Sequence, residues 1–433
     1  QYDFWSLLDK GLTIGVFQVE DGGIAKKIAS KMQCRNIEDL AVLVALNRPG
    51  PLRAGYVDMY LERRDGADYE VLDPFIADIV EDTHGVFVYQ EQVISLFTKM
   101  GFSLEEADDV RRIMGKKKVK EMEDFYPQYM ERASQHMSDK TANELWQELL
   151  GFSKYAFNKA HSVAYGIITL WTLWTKHNYP AEYLLACIRK EDTRDDVPRF
   201  IAEAQRMGIK VNPPDINKSL YETDIIDGEI YLGLKDVKGV SKGAEWVIEN
   251  RPFESFDQML EVLEKQNKEF LIRKKEGKVE GPSPKQRLGA NKAKALFNAG
   301  AFDSMEKREI SKRERREFEK ELLGIILTND APKILDKYKE VIEIECTTNY
   351  RELNENGTYI IAGEIKSVRP LKTKKGQDMA FVTIEYGDQT TEFAVFEQHL
   401  IAFSDIIQEC IPVIASVKST SRGINLLELE ELS

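Results

Sequence analysis

The sequence predicts a multidomain α+β protein. Apolar residues recur at helical spacing over the first 190 positions, the period switches to two after Gly357, and a charge-dense stretch with Gly and Pro interruptions lies between. At 433 residues, with 42% hydrophobic and 31% charged content, the chain has material for about two to four domains with real cores. It starts inside an amphipathic pattern, with Phe4, Leu7 and Leu8 on one side and no methionine, and reads as a piece of something longer.

Val93 to Met100, Leu104 to Met114, Ala142 to Leu150 and Ser162 to Ile188 each keep the 3.6-residue period of a helix. Arg48-Pro49-Gly50-Pro51, Gly66, Asp73-Pro74, Gly115 and Tyr179-Pro180 supply the turns or stops between helical segments. Val211 to Tyr231 carries Asn212-Pro213-Pro214-Asp215 and short β-prone pieces, and Leu232 to Asn250 reads as two helices around a glycine turn. Lys265 to Lys294 has ten Lys or Arg against three Glu, broken by Gly277, Gly281, Pro282 and Pro284, which predicts a basic loop. Glu306 to Lys320 mixes seven basic with five acidic residues and predicts a helix with a solvated face. Tyr359 to Val368, Ala380 to Tyr386, Thr391 to Phe396, Val413 to Val417 and Ile424 to Leu429 alternate like strands, with a helix near His399 to Ile407. That pattern fits a five-stranded Greek-key barrel.

No apolar run approaches the roughly 20 residues needed to span a bilayer, and no basic-then-apolar leader opens the chain, so no membrane partner is expected and the location is expected to be cytoplasmic. Cys34, Cys187, Cys346 and Cys410 lack CxxC spacing, and the five histidines do not group, so no metal ligands are assigned. The formal charge of −13 argues against indiscriminate coating of nucleic acid, which makes the local distribution of cations the informative quantity.

Two stretches carry candidate chemistry. In Phe157-Asn158-Lys159-Ala160-His161-Ser162-Val163-Ala164-Tyr165, a cation stands at a helix entrance, where backbone N–H groups favour an anion, and His161 and Tyr165 are helical neighbours. That face suits a nucleotide, phosphate at the mouth and base on the rings. The packing alternative has Asn158 or Ser162 capping a core helix with Tyr165 and Trp171 inside. Arg111-Arg112-Ile113-Met114-Gly115-Lys116-Lys117-Lys118-Val119-Lys120 places six cations in ten residues without a carboxylate, which suits a triphosphate or a nucleic-acid backbone better than a solvated face. Glu91 invites a general-base role but has no acid partner at useful spacing.

Gly15-Val16-Phe17-Gln18, Arg48-Pro49-Gly50-Pro51, Tyr89-Gln90-Glu91-Gln92, the Arg111 to Lys118 block and Phe157-Asn158-Lys159 through Tyr165 resemble, in order and spacing, the bacterial replicative DNA polymerase III alpha subunits of family C. The resemblance implies a fingers domain over 1–190 that binds the incoming deoxynucleoside triphosphate. It implies triphosphate contacts for Arg48, Arg111, Arg112, Lys116, Lys117, Lys118 and Lys159, with His161 and Tyr165 near the nucleotide or template pair. Leu232 to Ser241 resembles the helix-hairpin-helix of the same polymerases, implying DNA contacts at Lys238, Gly239, Val240, Ser241 and Lys242, although Ser241 replaces a usual glycine. Ala293 to Ser304 resembles a second hairpin of structural character. The implied organisation is a tandem hairpin region over 191–305 including the basic loop 265–294, a connector helix over 306–345, and an OB-fold domain over 346–433. Lys372, Lys374 and Lys375 in the first barrel loop would meet single-stranded template.

No Asp-x-Asp stands on a convincing strand, so no catalytic residue is assigned. The resemblance implies that Mg2+ is held by a palm domain not present in the chain, which alone is expected to be inactive. The implied partners are primer-template DNA, dNTPs, the palm and PHP portion of the same polymerase, and also the sliding clamp and other replisome subunits. No glutamine-led clamp motif stands near Met305 to Glu319. The rival readings are a non-catalytic OB-fold single-strand nucleic-acid-binding protein, which leaves the first 190 residues unexplained, and a helical scaffold, which leaves the cationic block unexplained.

Overall fold

The computed structural model describes residues 3–20, 28–48, 50–51, 54–115, 119–153, 156–190, 196–350, 353–354, 356–373, 376–387 and 389–433. The chain divides into two compact units, residues 1–210 with 227–230, and residues 211–226 with 231–433.

The first unit is helical. Its main elements are α1 (Ile37–Leu46), α2 (Tyr56–Arg64), α3 (Gln90–Lys99), α4 (Leu104–Gly115), α5 (Val119–Ala133), α6 (Asp139–Ser153), α7 (Lys159–Asn178), α8 (Pro180–Lys190) and α9 (Val197–Arg206). The residues from Leu40 to Leu46 of α1 are all buried, and α1 is capped by Asn36, whose side chain accepts from the Asp39 N–H at 2.8 Å. Two of its apolar cores stand out among the described residues. One gathers Leu8, Val16, Met32, Leu40, Leu43, Tyr60, Tyr89 and Leu173. The other gathers Phe87, Val93, Leu96, Phe97, Phe102, Met122, Tyr129, Trp146 and Phe152. The Ser162 to Ile188 period is interrupted where expected, since Pro180 starts α8 and cannot continue α7.

In the second unit, a single 3-10 turn (Leu234–Asp236) leads through Gly239, at φ +81°, into α10 (Ser241–Asn250). Then come α11 (Phe256–Lys275), a short helix at Pro284–Arg287, α12 (Ala290–Asn298), α13 (Lys312–Leu323), α14 (Ala331–Lys337) and α15 (Lys339–Glu345). Two expectations change here. The stretch from 265 to 294, expected as a loop, is helical through Lys275 and again at Pro284–Arg287 and from Ala290. Lysine and arginine are good helix formers, and the first breaker is Gly277. The mixed-charge helix is not merely solvated: Arg316 is buried and donates from Nε to the Thr328 carbonyl at 3.1 Å. Buried Glu319 accepts from the N–H groups of Leu327 and Thr328, both at 2.8 Å. After α12, Asp303 is clamped by Arg308 at 2.5 Å and Arg315 at 2.7 Å, a structural lock.

The C-terminal strands β1 (Thr358–Lys372), β2 (Asp378–Tyr386), β3 (Gln389–Phe396), β4 (Pro412–Thr420) and β5 (Gly423–Glu431) close a barrel in the order β1-β2-β3-β5-β4, with α16 (Glu397–Ala402) between β3 and β4. A single parallel pairing, Ala394 with Asn425, joins β3 to β5, while the other neighbours run antiparallel. Alternate residues Ala380, Val382 and Ile384 of β2 point inward, with Ile361, Ile365, Phe393, Val413, Val417 and Leu426 filling the interior. At Gly363 a Cβ would sit 2.7 Å from the Glu385 carbonyl oxygen and 3.0 Å from its carbon, so β1 and β2 touch backbone to backbone there. Gly363→Ala is expected to destabilise the barrel by about 1–3 kcal/mol, measured by urea unfolding. An unchanged midpoint would contradict that close approach.

Candidate functional site

The start of α7 is built by two strand-like segments side by side. Tyr89 and Phe157 form a parallel β-bridge, with the Gln90 N–H donating to the Phe157 carbonyl at 2.8 Å. Asn158 then caps α7, its Oδ1 accepting from the His161 N–H at 2.8 Å. The Glu91 carboxylate accepts from Asn158 Nδ2 at 2.8 Å and from the Lys159 N–H at 2.8 Å. The anion at the mouth of α7 is thus the chain's own Glu91. This revises the expectation drawn from the helix entrance: of the groups there, the Lys159 side chain stays exposed, while its backbone N–H is taken. Glu91 acts as a brace between α3 and α7. Asn158→Ala removes the cap and one Glu91 bond, with an expected loss of about 1–2 kcal/mol in urea unfolding. A loss of a few tenths would contradict the capping role.

Which face of α7 is buried is the second surprise. Ser162, Gly166, Thr169, Leu173 and Lys176 turn inward, while Trp171 is 65% exposed and Trp174 is 41% exposed. The packing alternative holds for its Asn158 cap and fails for Trp171, which lies outside. Small and hydroxylated residues let α1 come close: a Cβ on Gly166 would lie 3.4 Å from the Ala41 nitrogen, and Ser162 Oγ donates to the Ala41 carbonyl. Thr169 Oγ1 donates to the Phe17 carbonyl at 3.1 Å, and the Phe17 N–H donates to Thr172 Oγ1 at 3.2 Å, which docks the Gly15-Val16-Phe17-Gln18 turn on α7. Deeper, Lys176 donates to the carbonyls of Leu12 at 2.9 Å and Ile14 at 2.6 Å and pairs with Glu203 at 2.6 Å, both side chains fully buried. Sequence reasoning passed over Lys176 and Glu203. The only signal was the position of Lys176 in the i, i+3, i+4 row of Thr169 and Leu173.

On the outer side a ladder of rings forms. The centroids of Phe157 and His161 are 5.4 Å apart, those of His161 and Tyr165 4.0 Å, and those of Tyr165 and Phe17 5.2 Å. The Arg48 guanidinium lies 4.3 Å over the Phe157 ring and donates from Nε to the Ala45 carbonyl at 2.9 Å, with burial lowering its pKa. Lys159 Nζ stands 5.4 Å from the Tyr89 ring.

The cationic block is less acid-free than its ten-residue window suggested. Arg111 Nε pairs with Asp108 at 2.6 Å. Arg112 pairs with Asp108 at 2.7 Å and Asp109 at 3.3 Å, because carboxylates one helical turn upstream share its face. The hydrogen bond from Arg111 holds the Asp108 carboxyl below its usual range. Arg111 also donates from Nη1 to Gln90 Oε1 at 3.1 Å, and since the Gln90 N–H holds Phe157, the guanidinium is tied to the base of the ring ladder. The fold therefore sets Arg48 and His161 against the Phe157 ring, links Tyr165 through His161, Arg111 through Gln90 and Lys159 through Tyr89, and leaves Arg112 exposed on α4 with its aspartates. Lys116, Lys117 and Lys118 lie outside the described residues.

In the second unit, Lys238, Gly239, Ser241 and Lys242 are exposed at the turn into α10. Val240 is not available: its side chain is fully buried and its N–H turns back to the Val237 carbonyl at 3.0 Å, while the Lys238 N–H is taken by the Leu322 carbonyl at 2.8 Å. On the barrel, Lys372 pairs with Asp378 at 3.0 Å, and Lys374 and Lys375 lie outside the described residues. Phe393 is core, Phe381 lies half-buried beneath Arg369 at 5.2 Å, and Phe396 is 45% exposed. Among the described residues no group of three or more His, Cys, Asp or Glu side chains is placed to hold a metal ion, and no helix is long and apolar enough to cross a membrane.

Along the chain, a helical unit carrying the ring ladder and its cations is followed by a glycine turn into α10 and a closed five-stranded barrel. Residues 2–137 match the model of the bacterial DNA polymerase III alpha subunit finger domain, and residues 208–274 match a helix-hairpin-helix motif. The chain is 31% identical to DNA polymerase III subunit alpha of Treponema pallidum (strain Nichols), over 99% of this chain and 40% of that protein. It is 30% identical to the subunits of the same name from Aquifex aeolicus (strain VF5), over 94% and 36%, and Thermus aquaticus, over 95% and 36%. The chain belongs to the bacterial DNA polymerase III alpha subunit family and spans about two fifths of the length of these relatives.

Proposed function

We propose that this chain is the part of a replicative DNA polymerase that receives the incoming dNTP and holds primer-template DNA during template-directed synthesis. The observation that carries this reading is the Phe157–His161–Tyr165 ladder with Arg48 over its first ring, Arg111 bonded to Gln90 beside Phe157, and Lys159 over the neighbouring Tyr89 ring. Arginine and lysine at its rim supply charge for a triphosphate, and the ladder supplies a stacking surface for a base. We assign residues 1–190 to fingers, 191–305 to the hairpin region, 306–345 to a connector and 346–433 to the barrel. The exposed Lys238, Gly239, Ser241 and Lys242, with Lys372 and its loop, are assigned to DNA.

Polymerisation of this class uses Mg2+ to activate the primer hydroxyl and stabilise the leaving pyrophosphate. On this reading the carboxylates that hold that ion belong to another portion of the enzyme. The chain's own residues bind and orient. Its partners are DNA, dNTPs and the carboxylate-bearing portion of the same polymerase, with other replisome subunits, in the cytoplasm. The test is primer extension by this chain combined with the carboxylate-bearing portion of a polymerase III alpha subunit, in the presence of Mg2+. Extension dependent on both parts is expected, and no extension by a correctly folded pair would overturn the reading.

A further inference from the structure

Ile342 is the only buried residue of α15, and it packs with Leu335, Ala362 and Leu432 to hold the helix on the outside of the barrel. Val341 and Ile344, three apart, lie on the solvent side of that helix and are exposed, Ile344 to 83%. The barrel continues the apolar surface. Residues paired across strands share a face, so Ala362, Ile414 and Glu430 form one outward row and Ile360, Ser416 and Glu428 the next. Leu335 and Ile342 pack against Ala362 and Ile414 of the first row, whereas Ile360 in the second is 47% exposed. Thr347, just past α15, donates its N–H to the Ile360 carbonyl at 2.7 Å, which keeps the helix end beside that row. Leu427 is the extra residue of a bulge between Leu426 and Glu428, and it too is exposed. Single exposed aliphatic side chains are ordinary, but four in one neighbourhood form a patch of the kind that a partner covers.

The charges around this patch indicate what covers it. Elsewhere on the barrel carboxylates are answered within the chain: Asp405 by Arg313 at 2.5 Å, Glu409 by Lys320 at 2.8 Å, Glu364 by Lys366 at 2.8 Å and Asp378 by Lys372 at 3.0 Å. Glu340, Glu343, Glu345, Glu428 and Glu430 are exposed, and among the described residues no cation lies within ion-pair distance of any of them. Glu343 and Glu345 stand in the last turn of α15, where the helix dipole disfavours a carboxylate. Lysines are present only at the edges. Lys337 donates to the Ser433 carbonyl at 3.3 Å, Lys339 begins α15, and Lys418 lies one row beyond Ile360. Such a rim repels nucleic acid and anionic headgroups and attracts a cationic partner.

We infer that this face docks a basic amphipathic segment of a partner protein. The apolar side of the segment covers Val341, Ile344, Ile360 and Leu427, and its Lys or Arg side chains meet Glu340, Glu343, Glu345, Glu428 and Glu430. The contact is separate from nucleotide and DNA handling and does not rest on the polymerase reading.

The test titrates the full 433-residue chain into a fluorescein-labelled amphipathic helical peptide of leucine and lysine, with a leucine–glutamate peptide of the same pattern as control. The lysine peptide is expected to bind and to slow hydrogen exchange in α15 and β5, and the glutamate peptide is expected not to bind. Val341→Ser/Ile344→Ser weakens binding at least about tenfold. Glu340→Gln/Glu343→Gln/Glu345→Gln weakens it at low salt and flattens its salt dependence. Glu105→Gln/Glu123→Gln/Glu131→Gln, which removes the same charge from α4 and α5, changes it little. Circular dichroism checks that the variants remain folded. Equal loss in the α4 and α5 variant, undiminished binding by Val341→Ser/Ile344→Ser, or protection confined to the first unit overturns the inference. So does a self-association of the parent chain that Val341→Ser/Ile344→Ser abolishes in sedimentation, since the face then takes a second copy, and so does weaker DNA binding by that variant. Each of these outcomes leaves the polymerase reading standing.

Discussion

Lys176→Met is expected to destabilise the helical unit by about 3–5 kcal/mol, a large fraction of a typical domain's stability. Both members of the Lys176–Glu203 pair are fully buried, and the lysine places its ammonium on the Glu203 carboxylate at 2.6 Å and on the carbonyls of Leu12 and Ile14. Burial lowers the Lys176 pKa, and Glu203 is the main influence opposing that shift. With the ammonium gone, Glu203 keeps one ionic partner, half-exposed Arg206 at 2.9 Å, and two backbone carbonyls lose their donor. The double variant Lys176→Met/Glu203→Leu is expected to recover much of the loss, because it removes the uncompensated buried charge along with its partner. Urea unfolding, read by hydrogen exchange in α7 and α9, measures both. A cost below about 1 kcal/mol for the single variant, or no recovery in the double one, would contradict a paired interior. The effect reaches the site because Lys176 fastens the segment that leads into Phe17, and Phe17 supports the Tyr165 ring.

The second large effect concerns nucleotide affinity. In a polymerase carrying this chain, Lys159→Ala and Arg111→Ala are each expected to raise the KM for dNTP by about 10- to 100-fold, the equivalent of one charge-assisted hydrogen bond of about 1.5–3 kcal/mol. The two differ in their side effects. Lys159 has an exposed side chain that reaches over the Tyr89 ring, so its loss leaves stability nearly unchanged. Removing Arg111 frees Gln90 Oε1 and leaves Asp108 with Arg112 alone, so a modest loss of stability accompanies it. Tyr165→Phe keeps the ring contacts and is expected to act weakly, whereas Tyr165→Ala opens the ladder between His161 and Phe17. Steady-state kinetics over a dNTP series checks these expectations. A fall in kcat at constant KM for Lys159→Ala would remove the lysine from nucleotide binding.

The helices and strands were legible where one physical signal dominated. The alternation of Ala380, Val382 and Ile384 gave β2, and Pro180 gave the break between α7 and α8. The misreadings share a cause: charge was judged by its neighbours in sequence and not in space. Ten cations suggested a loop, yet lysine and arginine propagate α11 as far as Lys275. A window beginning at Arg111 left out Asp108 and Asp109, which a helical turn brings back to the same face. Lys176 was passed over because its carboxylate is 27 residues away and its carbonyls more than 160 away. Likewise Glu91 has a role only once the bridge between Tyr89 and Phe157 places it at the mouth of α7. For the site, residue types and spacing identified Lys159, His161 and Tyr165 as a face, and the fold set Arg48, already named from the resemblance, over the Phe157 ring and added Gln90 and Phe17 as groups that support the face.

The central claim, that this face receives the incoming nucleotide, is tested most directly by photolabelling. The chain, assembled with its carboxylate-bearing partner and primer-template, is irradiated with an azido-dATP, digested and mapped by mass spectrometry. Label on the Phe157–Tyr165 peptide or on Phe17, suppressed by unmodified dATP, is the predicted result. Label confined to the hairpin or the barrel, or label on α7 that excess dATP leaves undiminished, would contradict it.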